Sequence, residues 1–110
     1  MEVSFANRKL QKLCESDKEL RKAYGSDGAK KVMRRLSDLR AAPSLEEMRN
    51  LPGRIHELEA DRDGQLAIDL AGGCRLVIAP TNGWPSEKQE GDHVWAEIDS
   101  VQVLEIADYH

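Results

Sequence analysis

The hydrophobic period of this chain changes once, at Arg54. Before that point apolar residues recur at helical spacing, and after it they alternate, so one half is built to form helices and the other a sheet. A short strand is expected first, over residues 2–5. Leu10, Leu13 and Cys14 then share one helical face. Ser16-Asp-Lys-Glu19 has the form of a capping box, which predicts a break near Glu15 and a second helical segment after it. Gly25 suits a helix C-cap, and Ser26 or Asp27 can cap a third segment. That segment is the clearest, with Ala29, Val32, Met33, Leu36 and Leu39 in one apolar stripe and Lys30, Lys31, Arg34 and Arg35 off it. Pro43 ends it, and Ser44-Leu-Glu-Glu47 opens a further turn of helix to about Asn50.

Past Arg54, Leu66, Ile68 and Leu70 alternate with Ala67 and Asp69. Asp63-Gly64 signals a hairpin between strands at 55–60 and 65–70, and Gly72-Gly73 makes the reversal into a strand at 74–79. Residues 80–91 are polar and turn-rich and read as a long loop, residues 93–100 are ambiguous, and 101–107 form the last strand. Helices followed by an antiparallel meander give an α+β fold, with N-terminal helices packed on one face of a twisted, mainly antiparallel sheet. The 110 residues make one domain, 1–110.

Composition narrows the setting. The longest apolar run falls far short of the roughly 20 residues that cross a bilayer, so no membrane is expected. The first residues carry neither a basic nor an apolar signal region. Cys14 and Cys74 show no metal or redox spacing, which points to free thiols in a cytoplasmic setting. Charge is lopsided: residues 1–54 hold 13 Lys and Arg against 8 Asp and Glu, whereas residues 55–110 hold 3 against 12. The basic half has the sign to face phosphates, and the acidic half argues against unselective adhesion to nucleic acid.

Chemistry-bearing residues gather at the carboxyl end, Asp108-Tyr109-His110, directly after the last strand. In the middle runs Leu51-Pro-Gly-Arg-Ile-His56-Glu-Leu58-Glu-Ala-Asp61-Arg62-Asp-Gly64, followed by Arg75 in the next strand. Taken singly, each has a plain reading. His56 is a structural strand histidine, Arg62 a solvated turn residue pairing with Asp61, and Arg75 a surface ion pair or a phosphate contact. Trp84 and Trp95 read as covers of the core edge. The cysteines and histidines have no paired ligand spacing for zinc, and neither a phosphate-binding glycine loop nor a nucleophile elbow occurs.

Taken in order, these segments resemble the HigB-like toxins of bacterial toxin–antitoxin systems, within the RelE/ParE superfamily. The correspondence runs over nearly the whole chain: first strand, helices, Leu-Pro-Gly connector, His-x-Leu-x-x-Asp-Arg-x-Gly, an Arg in the following strand, and the terminal Asp-Tyr-His. The resemblance implies a ribosome-dependent mRNA endonuclease, neutralised by a cognate helix-turn-helix antitoxin of HigA type. It implies no metal and no other cofactor: the RNA 2′-hydroxyl attacks the adjacent phosphate. Carried over by position, His56, Arg75, Asp108, Tyr109 and His110 match catalytic or RNA-contacting residues. Arg62 matches a motif position, and the Lys30, Lys31, Arg34 and Arg35 flank would meet ribosomal RNA. His110 is expected as general acid, His56 or Asp108 as base, Arg75 as phosphate clamp and Tyr109 as a stacking or phosphate contact. The chain departs from the pattern at Glu59, where a Lys is expected; Glu59 or Glu57 then stands as an alternative base. The rival expectation is a non-catalytic member that binds DNA gyrase, as ParE-type toxins do, or only its antitoxin.

Overall fold

A computed structural model describes residues 1–85 and 94–108. Strand β1 (Glu2–Phe5) leads into helix α1 (Arg8–Cys14), whose N-cap Asn7 side chain accepts from the Leu10 amide at 2.8 Å. Glu15 ends α1 as expected, and Ser16 opens helix α2 (Asp17–Ala41) by accepting from the Glu19 amide at 3.1 Å. Gly25 interrupts α2 with φ +76°, a conformation that costs glycine little because it lacks a Cβ. The two helical segments read on either side of Gly25 are thus two arms of one kinked element.

Strands β2 (His56–Glu57), β3 (Leu66–Asp69), β4 (Cys74–Pro80) and β5 (Ser100–Asp108) complete a five-stranded sheet in the order β1-β5-β4-β3-β2. The pairs β2–β3, β3–β4 and β4–β5 are antiparallel; β1 runs parallel to β5. The expected class holds: α+β, with the helices on one face of a mixed, mainly antiparallel sheet. A register irregularity at Val77/Ile78 lets β5 bend across β4.

The core lies between α2 and the sheet. Ala29, Val32, Leu36 and Leu39 meet Leu66, Ile68, Leu76, Ile78, Val101 and Val103, all of them buried. Shortening a core leucine such as Leu36 or Leu76 to Ala would cost about 2–5 kcal/mol, through lost transfer energy and the cavity left behind. Trp95, in a 3-10 turn over Val94–Glu97, is 2% exposed and belongs to this core, as the plain reading held.

Three local expectations are corrected. The strand expected at 55–60 shrinks to His56–Glu57, because Ala60 adopts φ +56° and a 3-10 turn follows over Ala60–Arg62. The hairpin still closes, with the Leu58 amide donating to the Gln65 carbonyl at 2.8 Å. The segment Leu45–Asn50 is a 3-10 helix, and Ser44 makes no side-chain cap there. Arg35, expected on the charged flank of α2, is buried at 4% exposure and donates to Asp38 at 2.9 Å. Its spacing from Val32 and Leu39 puts it on the edge of the apolar stripe, where the guanidinium lies against Gly53. The expected loop beyond Pro85 and the start of the ambiguous stretch at His93 lie outside the described residues.

Candidate active site

Side chains alternate across a strand, so the register assigns every sheet residue a face. Leu66, Ile68, Leu76 and Ile78 face the helices. Ala67, Asp69, Arg75 and Val77 therefore face the other way, and cross-strand pairing adds His56 beside Ala67 and Glu105 beside Val77. One row on this open face reads His56, Ala67, Val77, Glu105. The neighbouring row holds Asp69, Arg75 and Ala107, and Arg54 joins it from the connector before β2.

His56 is oriented by its own connector. Its Nδ1 lies 2.8 Å from the Arg54 carbonyl oxygen. A carbonyl only accepts, so Nδ1 carries the hydrogen, and in neutral imidazole the lone pair then sits on Nε2. That carbonyl is aimed by a left-handed backbone at Arg54, φ +48°, which costs a non-glycine residue about 1–2 kcal/mol. Gly53, at φ +113°, sets up the turn, and its carbonyl accepts from the Asp69 amide at 2.7 Å.

Asp69 joins the two arginines. Its Oδ2 accepts from Arg54 Nε at 2.7 Å, and its Oδ1 lies 3.4 Å from Arg75 Nε. Oδ1 is shut off from water and makes no formal hydrogen bond, so the Arg75 charge is its compensation. From strand spacing and rise, His56 and Arg75 have Cα atoms about 12 Å apart, on the same face. Arg62 reaches from its turn across β3 and β4, donating to Glu105 at 2.5 Å and to Gln65 at 3.0 Å. It does not follow the expected turn-residue pairing with Asp61 alone.

The fold thus gathers His56, Arg62 and Arg75 on one face and adds Arg54 and Asp69, neither of which the sequence singled out. Other expected residues lie elsewhere. Asp108 pairs with Cys74 on the opposite, helix-side face. There it lines a cleft of about 550 Å³ with Tyr24, Asp27 and Leu70. Burial, and then the Asp108 carboxylate, raises the Cys74 thiol above its ordinary pKa. Glu57 turns to the core side and accepts from Trp95 Nε1 at 3.0 Å, with the Arg49 guanidinium 3.7 Å over that indole. Glu59 is exposed at the start of the 60–62 turn. Lys30, Lys31 and Arg34 are exposed on α2, with the helix and sheet layers between them and the open face. Tyr109 and His110 lie outside the described residues.

Among the described residues no group of three or more His, Cys, Asp or Glu is placed to hold a metal ion, and both cysteines are free thiols. Among them, too, no helix is long and apolar enough to cross a membrane.

No family model matches the chain, and no curated protein matches it in sequence. Among solved structures it is similar to the YoeB/ParE toxin from Agrobacterium tumefaciens. That match covers 100% of both chains with a TM-score of 0.58 at 10% sequence identity. At such low identity the likeness speaks for a shared fold alone.

Proposed function

We propose that this chain is the toxin of a toxin–antitoxin module, of HigB kind, and cuts mRNA on the ribosome without a metal. The observation that carries the reading is His56, its Nε2 lone pair set by the Arg54 carbonyl, on the same sheet face as Arg75. In this reading His56 Nε2 takes the proton of an RNA 2′-hydroxyl, and the 2′-oxygen attacks the adjacent phosphorus. The bond to the 5′-oxygen breaks, leaving a 2′,3′-cyclic phosphate and a 5′-hydroxyl. Arg75 meets the charge that grows on the phosphorane oxygens. The acid that protonates the leaving oxygen is His110, by its position in the sequence. Asp108 lines the helix-side cleft, which supports His56 rather than Asp108 as the proposed base. Tyr109 remains a proposed stacking contact, and Lys30, Lys31 and Arg34 a separate surface for ribosomal RNA. A HigA-like helix-turn-helix antitoxin would neutralise the protein, and a cytoplasmic site of action follows from a ribosomal target.

The test is end mapping of mRNA on programmed ribosomes with wild type, His56→Ala, Arg75→Ala and His110→Ala. A positioned proton-transfer group contributes about 10²–10⁴-fold, so each histidine variant is expected to lose at least about 100-fold. Unchanged cleavage by His56→Ala would remove the base.

A second reading has its own observation: Asp69 and Glu105 already occupy the guanidiniums of the open face. A non-catalytic toxin that binds a protein such as DNA gyrase would use this face as a mixed-charge surface. Intact mRNA on ribosomes together with inhibited supercoiling would select it.

A further inference from the structure

The open face holds one arrangement that the sequence motifs did not single out: a carboxylate gripped by two arginines through their Nε atoms. We propose that Asp69 is a positioning residue that holds Arg54 and Arg75 as a two-armed guanidinium fork, with Arg54 the second arm on the same RNA phosphodiester. The inference rests on the RNA-cleaving reading for its ligand and deepens it by naming how the phosphate is held.

Three features support it. First, Arg54 gives Asp69 only its Nε, at 2.7 Å, while its side chain is 75% exposed. The terminal Nη pair is thereby left toward solvent, and an Arg edge of that kind matches a phosphate bidentately. Arg62 is engaged differently, with Nη1 on Gln65 and Nη2 on Glu105, so both of its terminal nitrogens already donate within the protein. Second, one residue ties the fork to the proposed base: the Arg54 carbonyl fixes His56 while the Arg54 side chain joins Asp69. Third, Arg54 holds φ +48° although glycine would fit that backbone more easily. Strain of this kind collects where a side chain is wanted at a given place.

A bland ion-pair network makes the opposite prediction in one respect. If Asp69 only neutralised charge, removing its negative charge would tighten anion binding. If Asp69 positions the arginines, removing it weakens binding although net charge rises.

The experiment uses a 2′-O-methyl RNA oligonucleotide, which cannot be cut by 2′-oxygen attack, and reads affinity by fluorescence anisotropy across a salt series. Wild type, Arg54→Ala, Arg54→Gly, Asp69→Asn and the distant control Arg21→Ala are compared, with circular dichroism melts to verify folding. Arg54→Gly keeps the test open should Arg54→Ala fold poorly, since glycine suits the left-handed backbone. Each lost phosphate contact lowers the salt slope by about 0.7 on a single strand. Both Arg54 variants are expected to lose about that much slope and 3- to 10-fold in affinity, Asp69→Asn to bind more weakly, and Arg21→Ala to match wild type. Unchanged binding by Arg54→Gly, tighter binding by Asp69→Asn, or no binding by wild type at low salt would each overturn the fork. Binding with the expected pattern, joined to uncut mRNA on ribosomes, would leave the fork standing and sink the cleavage proposal instead.

Discussion

Arg62 and Glu105 stand 43 positions apart in the chain, yet Arg62 Nη2 lies 2.5 Å from Glu105 Oε2 across two intervening strands. The pair spans the row that begins at His56, over Ala67 and Val77, which are fully buried without belonging to the helix-side core.

Replacing Glu105 by Gln should change stability little, by about 1 kcal/mol or less, because both partners are partly exposed. It should also release positive charge at the face and tighten binding of a short RNA several-fold at low salt. Anisotropy titrations of wild type and Glu105→Gln check this. Weaker binding would mean that the pair shapes the surface rather than masking charge.

Gly53→Ala should be strongly destabilising. A Cβ there would sit 2.6 Å from Ile68 Cγ2, and the residue is at φ +113°. Strain and overpacking together give a loss of about 2–4 kcal/mol. Urea unfolding measures it. A midpoint equal to wild type would show that the connector yields and that His56 is not rigidly placed.

Asp38 and Arg35 should respond unequally to mutation. The Arg35 side chain is 5% exposed, and its Nε makes no hydrogen bond. Asp38→Ala leaves that charge buried without its carboxylate and should cost about 3–5 kcal/mol, whereas Arg35→Met leaves Asp38 with Arg34 Nε at 3.4 Å and should cost clearly less. Thermal melts of both variants decide it; equal losses would refute the asymmetry.

Burial pushes the Cys14 thiol from its ordinary value of 9.0 up to about 11, with Arg40 pulling weakly the other way. The folded pKa exceeds the unfolded one, so this stabilisation is complete below pH 9 and fades as pH rises towards 11. A shift of this size corresponds to about 2–3 kcal/mol. The stability gap between wild type and Cys14→Ala should narrow by about that amount between pH 8 and pH 11 in urea titrations. Iodoacetamide at pH 8 should label Cys74 before Cys14. A gap constant with pH would show that the thiolate is solvated in the native state.

What the sequence made legible was mostly local. The Ser16 cap, the break at Glu15 and the turn at Gly25 depend on residues within a few positions of each other. The faces of β3 and β4 followed from strict alternation at Leu66–Asp69 and around Arg75. The shortening of β2 was not legible: residues 55–60 carry no alternation, and the left-handed Ala60 depends on how the turn docks. Arg35 did carry a signal, since Val32, Arg35 and Leu39 follow helical spacing with Asp38 at hand. Arg54 and Asp69 carried none, because their meeting is set by the register between β2 and β3. The separation of Asp108 from His56 likewise depends on β5 crossing its register irregularity.

Strand β5 sits between β1 and β4, although it is made last of the five. During synthesis, β1 waits about a hundred residues for its neighbour, and the sheet stays split until residues 100–108 slot in. A nascent chain halted before that point would hold the His56 lane and the β1 lane as unjoined pieces. The sheet face that carries His56, Asp69 and Arg75 therefore gains its Glu105 edge only after residues 100–108 have been translated and docked.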